Sequence, residues 1–388
     1  MQQDRIKKET ILLETLEELR VKLDEIDDQI VNLYEQRMEI CAHVGEYKIQ
    51  TGKKVLDRQR EKEKLENVAG KASNPFNKKG VTELYEQLMS MSRKLQYEQL
   101  VQAGALGRLP FIQVDSLDAD QARVVFPGTE GAYSEAAMKR YFGENCNSFY
   151  VRTFREAMEA IEDGAADFAV LPIENSTAGA VDEMYDLLVE FENYIVGETV
   201  IPIRHTLSGL PGASLNDVKT VYSKGVALMQ ATHFLDAHSS WQRINVANTA
   251  IAAKKVVEDQ DPSQAAVCSA YAAKVHGLQV LVDNINDNEH NSTRFIVVTN
   301  QKIFLKHASK ISICLEVSHE SGSLYRVLSH FIYNDLNMTK IESRPIEGRD
   351  WEYRFFIDFE GNMADGAVKN AIRGLREECR NLRILGNY

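Results

Sequence analysis

Cysteine is scarce and scattered. Cys41, Cys146, Cys268, Cys314 and Cys379 are the five in 388 residues, with no Cys-x-x-Cys pair and no histidine cluster nearby. An odd, dispersed set argues for reduced thiols, and against both a disulfide framework and a zinc site. Long apolar runs are also missing. Stretches such as Phe168 to Ile173 are far too short to span a bilayer. The opening MQQDRIKKETILLETLEELR has an apolar patch cut off at once by glutamates, so no signal peptide is expected there. Positive charge is in deficit: 45 Lys and Arg against 57 Asp and Glu give a formal net charge of −12. Nucleic acid and anionic membranes are therefore disfavoured as partners, and a cytoplasmic protein is expected. An anionic substrate would need a site made locally basic against this background.

Apolar residues make up 44% of the chain and charged residues 26%, ordinary for a soluble globular protein. The length calls for two or three domains. Residues 9–49 lack proline, and lack glycine until Gly45. Their apolar seam runs Leu12, Leu16, Leu19, Leu23, Ile26, Ile30, Leu33, then Arg37, Ile40, Val44 and Tyr47. Steps alternating four and three mark a packed helical pair or bundle. Such a helix is about 60 Å long. A domain of about 100 residues cannot cover it alone, so an intertwined homodimer is expected. Thr51-Gly52 breaks the rod; helices follow over about 57–71 and 77–102, the latter with Val81, Leu84, Leu88, Met91 and Leu95 on its buried stripe.

Arg37 stands in the apolar seam, where a guanidinium is costly unless paired or facing an anion. It could simply set helix register or snorkel to the surface. Other polar residues fall at compatible places, however. Lys48 is three turns on, Arg20 flanks Leu19, Asp57, Arg60 and Glu61 lie at i, i+3 and i+4, and Ser92 and Gln96 lie at i, i+4. Arg20, Arg37, Lys48, Asp57, Arg60, Glu61, Ser92 and Gln96 resemble the active-site set of the all-helical chorismate mutases over roughly residues 10–100. The resemblance implies that Arg20 is lent by the partner subunit and that the arginines grip two carboxylates through forked hydrogen bonds. It further implies that Lys48 and Gln96 donate to the breaking ether oxygen, that Glu61 and Ser92 hold the ring hydroxyl, and that Asp57 orients its neighbours.

After an expected linker over 103–110 the texture changes to short β-branched runs separated by helical stretches, which predicts an α/β domain with mostly parallel sheets and room for two lobes. FPGTEGAYSEAA (126–137) puts Gly128 and Gly131 at a strand-to-helix turn, read as a structural turn before an anion cradle. Glu174, Asn175, Ser176 and Thr177 follow a buried strand, where open α/β sheets present ligand groups. Thr293 and Arg294 precede another. Each segment alone also reads as a loop cap. Together, Pro172-Ile173-Glu174-Asn175, Thr293-Arg294-Phe295, and Tyr222-Ser223 with Gln230 resemble the prephenate dehydratases over about 122–300. Lys224-Gly225 departs from the His-Pro often found there. The resemblance implies that Thr293 donates to the departing hydroxyl while Arg294, Asn175, Ser223 and Gln230 anchor the substrate, with no metal or organic cofactor.

The last 80 residues read strand, helix, strand, strand, helix, strand, a ferredoxin-like unit. Glu342-Ser343-Arg344-Pro345, with an altered Gly322-Ser323-Leu324-Tyr325, resembles the ACT domains that bind phenylalanine. The expected organisation is therefore an all-α three-helix mutase domain (8–103), an α/β two-lobed dehydratase domain (121–304) and an α+β ACT domain (308–388). Chorismate and prephenate are the implied substrates and L-phenylalanine the implied allosteric ligand of a homodimer or higher homo-oligomer. Two alternatives stand beside this: a monofunctional dehydratase with a helical dimerisation extension, and a two-lobed ligand-binding protein.

Overall fold

The computed structural model describes residues 15–104 and 109–388. Leu12 of the seam and part of the linker lie outside the described residues. The chain divides into two compact units: Met1–Arg108 with Glu320–Leu336 and Ala364–Arg380, and Leu109–His319 with Asn337–Met363 and Asn381–Tyr388.

The first unit is helical. Helix α1 (Leu16–Thr51) starts at Thr15, whose hydroxyl accepts from Glu18 N while the Glu18 carboxylate accepts from Thr15 N, and it stops at Gly52 with φ 67°. Asp57 caps α2 (Arg58–Gly70), and Asn74 with Pro75 opens α3 (Pro75–Gln102). Both α1 and α2 pack on α3. The seam of α1 is largely bare: Leu16 is 66% exposed, Leu33 64% and Ile40 64%. On α3 the expected stripe is only half covered, and Leu84 is exposed. The covered stripe is instead Met89, Arg93, Tyr97 and Leu100. Its partner is α12 (Gly366–Glu378), which packs on α3 from far along the chain and carries carboxylates that meet Arg93 and Tyr97. Helix α11 (Ser323–Tyr333) belongs to the same unit.

The second unit is built on mixed sheets. β2 (Arg123–Pro127) runs parallel to β3 (Asn147–Val151) and to β4 (Phe168–Asn175). β12 (Ser292–Thr299) runs antiparallel to β4 and to β6 (Tyr194–Pro202). A second sheet has the order β11-β7-β10-β8-β9, from β7 (Thr206–Gly209), β8 (Thr220–Ser223), β9 (Gln242–Asn245), β10 (Gln264–Cys268) and β11 (Gln279–Val282). β7 is antiparallel to both its neighbours. The expectation of mostly parallel sheets is thus corrected. The chain crosses from the first sheet to the second on β6–β7 and returns on β11–β12; β7 runs against its neighbours in the second sheet, and β12 against β4 and β6 in the first. The two crossings are tied together, Ile203 N to Asn291 O and Ile285 N to His205 O, each at 2.9 Å.

Apolar clusters close both faces of each sheet, one around Leu171, Met184 and Ile296, another around Phe126, Met138 and Phe295. Smaller clusters around Val256 and around Val221 flank the second sheet. The last strands, β14 (Lys310–Glu316), β15 (Met338–Pro345), β16 (Tyr353–Glu360) and β17 (Asn381–Asn387), pair antiparallel in the order β15-β16-β14-β17. With the two helices between them they follow the expected strand–helix–strand–strand–helix–strand sequence. β17 joins β6 through Gly386 and Ile195. A Cβ on Gly386 would lie 2.0 Å from the Ile195 carbonyl oxygen, so only glycine lets these strands meet.

Candidate active sites

In the helical unit, α3 is the common wall. Arg37 Nη1 donates from α1 to Leu88 O at 3.0 Å and to Ser92 Oγ at 2.5 Å. Lys48 Nζ donates to Val55 O at 2.7 Å. Burial lowers the Lys48 pKa from its ordinary value, although Asp57, Glu61 and Glu377 pull the other way. Both cations turn inward from their rod. Gln96 is buried, and its Oε1 has no hydrogen-bond partner. A buried amide oxygen left unpaired costs free energy until something donates to it.

Glu61 is gripped by Arg93, whose Nη1 lies 2.5 and 2.6 Å from its two oxygens, while Arg93 Nη2 reaches Glu378 at 2.7 Å. Burial works against the Arg93 charge, but Glu61 and Glu378 outweigh it and raise its pKa. Asp57 accepts from Arg60 N at 3.0 Å as the cap of α2, so it sits outside the helix instead of on a face shared with Arg60 and Glu61. The Arg60 side chain is 74% exposed, and Arg20 is exposed as well. One chain therefore gathers Arg37, Ser92, Lys48, Glu61 and Gln96 inward and leaves Arg20 and Arg60 in solvent. Arg93 was not anticipated, because its burial depends on Glu378, 285 residues away.

In the α/β unit, strand alternation sorts the motif residues. Asn175 on β4 pairs with Thr293 on β12, and Glu174 with Arg294. Asn175 Oδ1 accepts from Thr177 N at 3.0 Å and Ala178 N at 2.8 Å, which fixes its amide. Its Nδ2 then donates to Asn291 Oδ1 (2.8 Å), Ser292 O (3.1 Å) and Thr293 Oγ1 (2.9 Å). Gln230 Nε2 approaches Asn175 Oδ1 at 3.5 Å, and Gln230 Oε1 lies 3.0 Å from His205 Nε2. His205 Nδ1 is 3.2 Å from the Tyr133 hydroxyl. Burial lowers the His205 pKa, so the ring is neutral there. A cavity of about 310 Å³ lies beside this network, lined by Thr177, Met229, Gln230, Asn286, Asn288 and Asn291 among others.

Several expectations are corrected here. Glu174 and Arg294 do not join Thr293. They lie on the other face of the strands, where Arg294 meets Glu174 (3.0 Å), Glu198 (3.2 Å) and Asp358 (3.2 Å). Burial opposes the Arg294 charge, but Tyr388 and these carboxylates raise its pKa well above the ordinary value. Lys340 also pairs with Glu174, at 2.8 Å. Ser223 Oγ is buried and donates to Val267 O at 2.6 Å, while Ser176 Oγ accepts from Ser292 N at 2.9 Å, bracing the strands. The glycine turn is structural, with Gly128 N donating to Val151 O and Gly131 N to Glu135 Oε2, so neither is free for an anion. His205, Tyr133 and Asn291 were not singled out. Asn291 was legible as the neighbour of Ser292-Thr293, and Tyr133 as part of the glycine segment.

Gly322 caps α11 with φ 79°, and Ser323 Oγ donates to Glu320 O at 2.7 Å, while Tyr325 is 56% exposed and Leu324 is half-buried. Glu342, Ser343, Arg344 and Pro345 lie on β15 and do not share one face, since Ser343 and Pro345 are exposed and the other two half-buried. Arg344 is taken by Asp182 and Asp186, each at 2.7 Å. Among the described residues, no helix is long and apolar enough to cross a membrane, and no group of three or more His, Cys, Asp or Glu could hold a metal ion.

The family profile for chorismate mutase type II matches residues 19–97, and that for prephenate dehydratase matches residues 124–303. The bifunctional chorismate mutase/prephenate dehydratase of Enterobacter agglomerans is 31% identical over 377 residues, 95% of each chain. That of Aquifex aeolicus is 30% identical over 382 residues, 97% of this chain and 98% of its own. Among solved structures, the Arthrobacter aurescens prephenate dehydratase in complex with L-Phe shares 32% identity at TM-score 0.64, covering 69% of this chain and 89% of its own. With both polar interiors built and both halves matched end to end, this chain belongs to the bifunctional chorismate mutase/prephenate dehydratase family.

Proposed function

We infer that this chain catalyses two consecutive steps of L-phenylalanine biosynthesis: chorismate to prephenate, then prephenate to phenylpyruvate. The observation that carries this is the end-to-end match to bifunctional relatives of a chain holding two separate polar interiors. The first step is a pericyclic rearrangement that moves no proton. It gains from holding a dicarboxylate in its compact conformer and from donors at the ether oxygen, where negative charge develops. Lys48 and the buried Gln96, through its amide nitrogen, are those donors. Arg37 binds a carboxylate, Glu61 and Ser92 hold the ring hydroxyl, and Asp57 fixes the start of α2.

In the second step, carbon dioxide and the ring hydroxyl leave prephenate together as the ring becomes aromatic. Thr293 Oγ1 accepts from Asn175, so its own proton is free to meet the departing hydroxyl. A threonine hydroxyl is too weak an acid to release that proton fully, and the hydroxide takes its proton from a buffer acid in solution. Gln230 and Thr177, which line the cavity, orient the substrate, while Ser223 and Ser176 brace the strands and Glu174 and Arg294 lock their opposite face.

The bare seam of α1 supports a homodimer, or a higher assembly of it, in which a partner's rod covers the leucines and lends its Arg20 to the site. The domains are 8–103, 121–304 and 308–388, in a cytoplasmic enzyme. The last is an ACT domain through which L-phenylalanine inhibits. The L-Phe complex of the Arthrobacter aurescens relative supports this. The test is to give purified protein chorismate and follow prephenate, then phenylpyruvate, with and without phenylalanine. Absence of prephenate overturns the mutase assignment, absence of phenylpyruvate from added prephenate overturns the dehydratase, and turnover flat in phenylalanine overturns the sensor.

A further inference from the structure

Asn291 is the residue on which the second site's unused hydrogen-bonding capacity falls. It is 3% exposed, and its Nδ2 has no partner. The orientation of its amide is forced. Backbone N–H groups of Thr177 and Ala178 hold Asn175 Oδ1, so Asn175 presents Nδ2 to its neighbour, and Asn291 must answer with Oδ1. The main chain of Asn291 is fixed as well, its carbonyl accepting from Ile203 N at 2.9 Å. A rigid, buried N–H donor is thus left over beside the cavity that Asn291 lines. Leaving it unpaired costs on the order of a hydrogen bond, which a structural role would not require.

Asn291 Oδ1 and Thr293 Oγ1 both lie within 3 Å of the same nitrogen, Asn175 Nδ2. The two donors therefore stand at one end of the site, side by side. Building on the dehydratase activity inferred above, we propose that Asn291 is a catalytic residue whose Nδ2–H donates a second hydrogen bond, beside that of Thr293, to the ring hydroxyl oxygen of prephenate as it departs. In the step, the carboxylate carbon–ring bond breaks and its electron pair enters the ring. The ring carbon–oxygen bond breaks with its pair going to oxygen, giving carbon dioxide, hydroxide and phenylpyruvate; the hydroxide leaves as water after taking a proton from a buffer acid in solution. Negative charge gathers on that oxygen, so donors aimed there are worth more in the transition state than in the bound substrate.

Asn291→Asp keeps an oxygen for Asn175 and replaces the donor with an acceptor. The expected result is a kcat for prephenate roughly 100- to 1,000-fold lower, the loss usual for one such donor, with KM within about threefold. Partial recovery is expected as pH falls and the new carboxyl takes up a proton that it can donate; a merely misfolded variant would not recover this way. Asn291→Ser, with a smaller donor, should fall in between. Wild-type kcat in both variants, or a loss confined to KM, would overturn the proposal alone. Failure of the unsubstituted chain to consume prephenate would overturn the dehydratase activity and this role with it.

Discussion

Asn175 Nδ2 stands 2.9 Å from Thr293 Oγ1, and that contact decides which way the threonine proton points. An oxygen that accepts from a fixed amide must send its own hydrogen elsewhere. Thr293→Ala removes the hydrogen and should lower dehydratase kcat by roughly 100- to 1,000-fold. Mutase turnover by the same preparation should be unchanged, and Thr293→Ser should retain most dehydratase activity. Parallel loss of both activities in Thr293→Ala would contradict separate sites.

Lys48→Ala tests the other interior. Losing a donor to the ether oxygen costs about 3–4 kcal/mol of barrier, so chorismate turnover should drop by hundreds-fold. Prephenate turnover should hold. Retained mutase activity would remove Lys48 from the site.

His205 links Tyr133 to Gln230 from within the fold, and its imidazole is held neutral by burial. His205→Gln keeps one hydrogen-bonding group but cannot span both neighbours. The expected outcome is a several-fold higher KM for prephenate through a loosened Gln230, with a smaller change in kcat. Because burial lowers the imidazole pKa below its ordinary value, the dehydratase rate should show no histidine titration between pH 7 and 8. A steep limb in that interval, lost in the variant, would mean that the ring carries a working proton.

Lys94 on α3 is buried, with Nζ 3.1 Å from the centroid of the Tyr333 ring and 3.3 Å from Ser329 O. Burial, aided by Arg93, lowers its pKa to about 7. The unfolded chain holds this proton up to about pH 10.4, so between the two values the unfolded state binds more protons and stability rises with pH. The penalty is fully present below pH 7 and fades toward pH 10. Lys94→Met should therefore raise the melting temperature of the helical unit most at pH 6, with the gain shrinking by pH 9. A gain independent of pH would show that packing, not charge, is the cause.

Much of this was legible because the letters act locally. The α1 rod, the break at Gly52 and the C-terminal element order all follow from periodicity and turn chemistry. β3 and β9 were not legible, being sheet-edge strands whose polar letters reflect solvent on one side. β7 is short and made of Thr, Leu, Ser and Gly, so its burial comes wholly from neighbours distant in sequence. The same distinction holds in the sites. Thr293 and Asn175 announce themselves by motif, whereas Arg93 gains its place from Glu378 and Arg294 loses its expected place to Glu198 and Asp358. Ion pairing across hundreds of residues leaves no local pattern.

The rod of α1 carries its leucines bare in a single chain, while the sheets of the second unit close their cores within one polypeptide. In the homodimer proposed above, the free energy that holds the helical unit depends on how many chains share the solution, and that of the sheets does not. Dilution alone should silence the two activities at different concentrations: chorismate turnover per molecule fades first, and prephenate turnover persists.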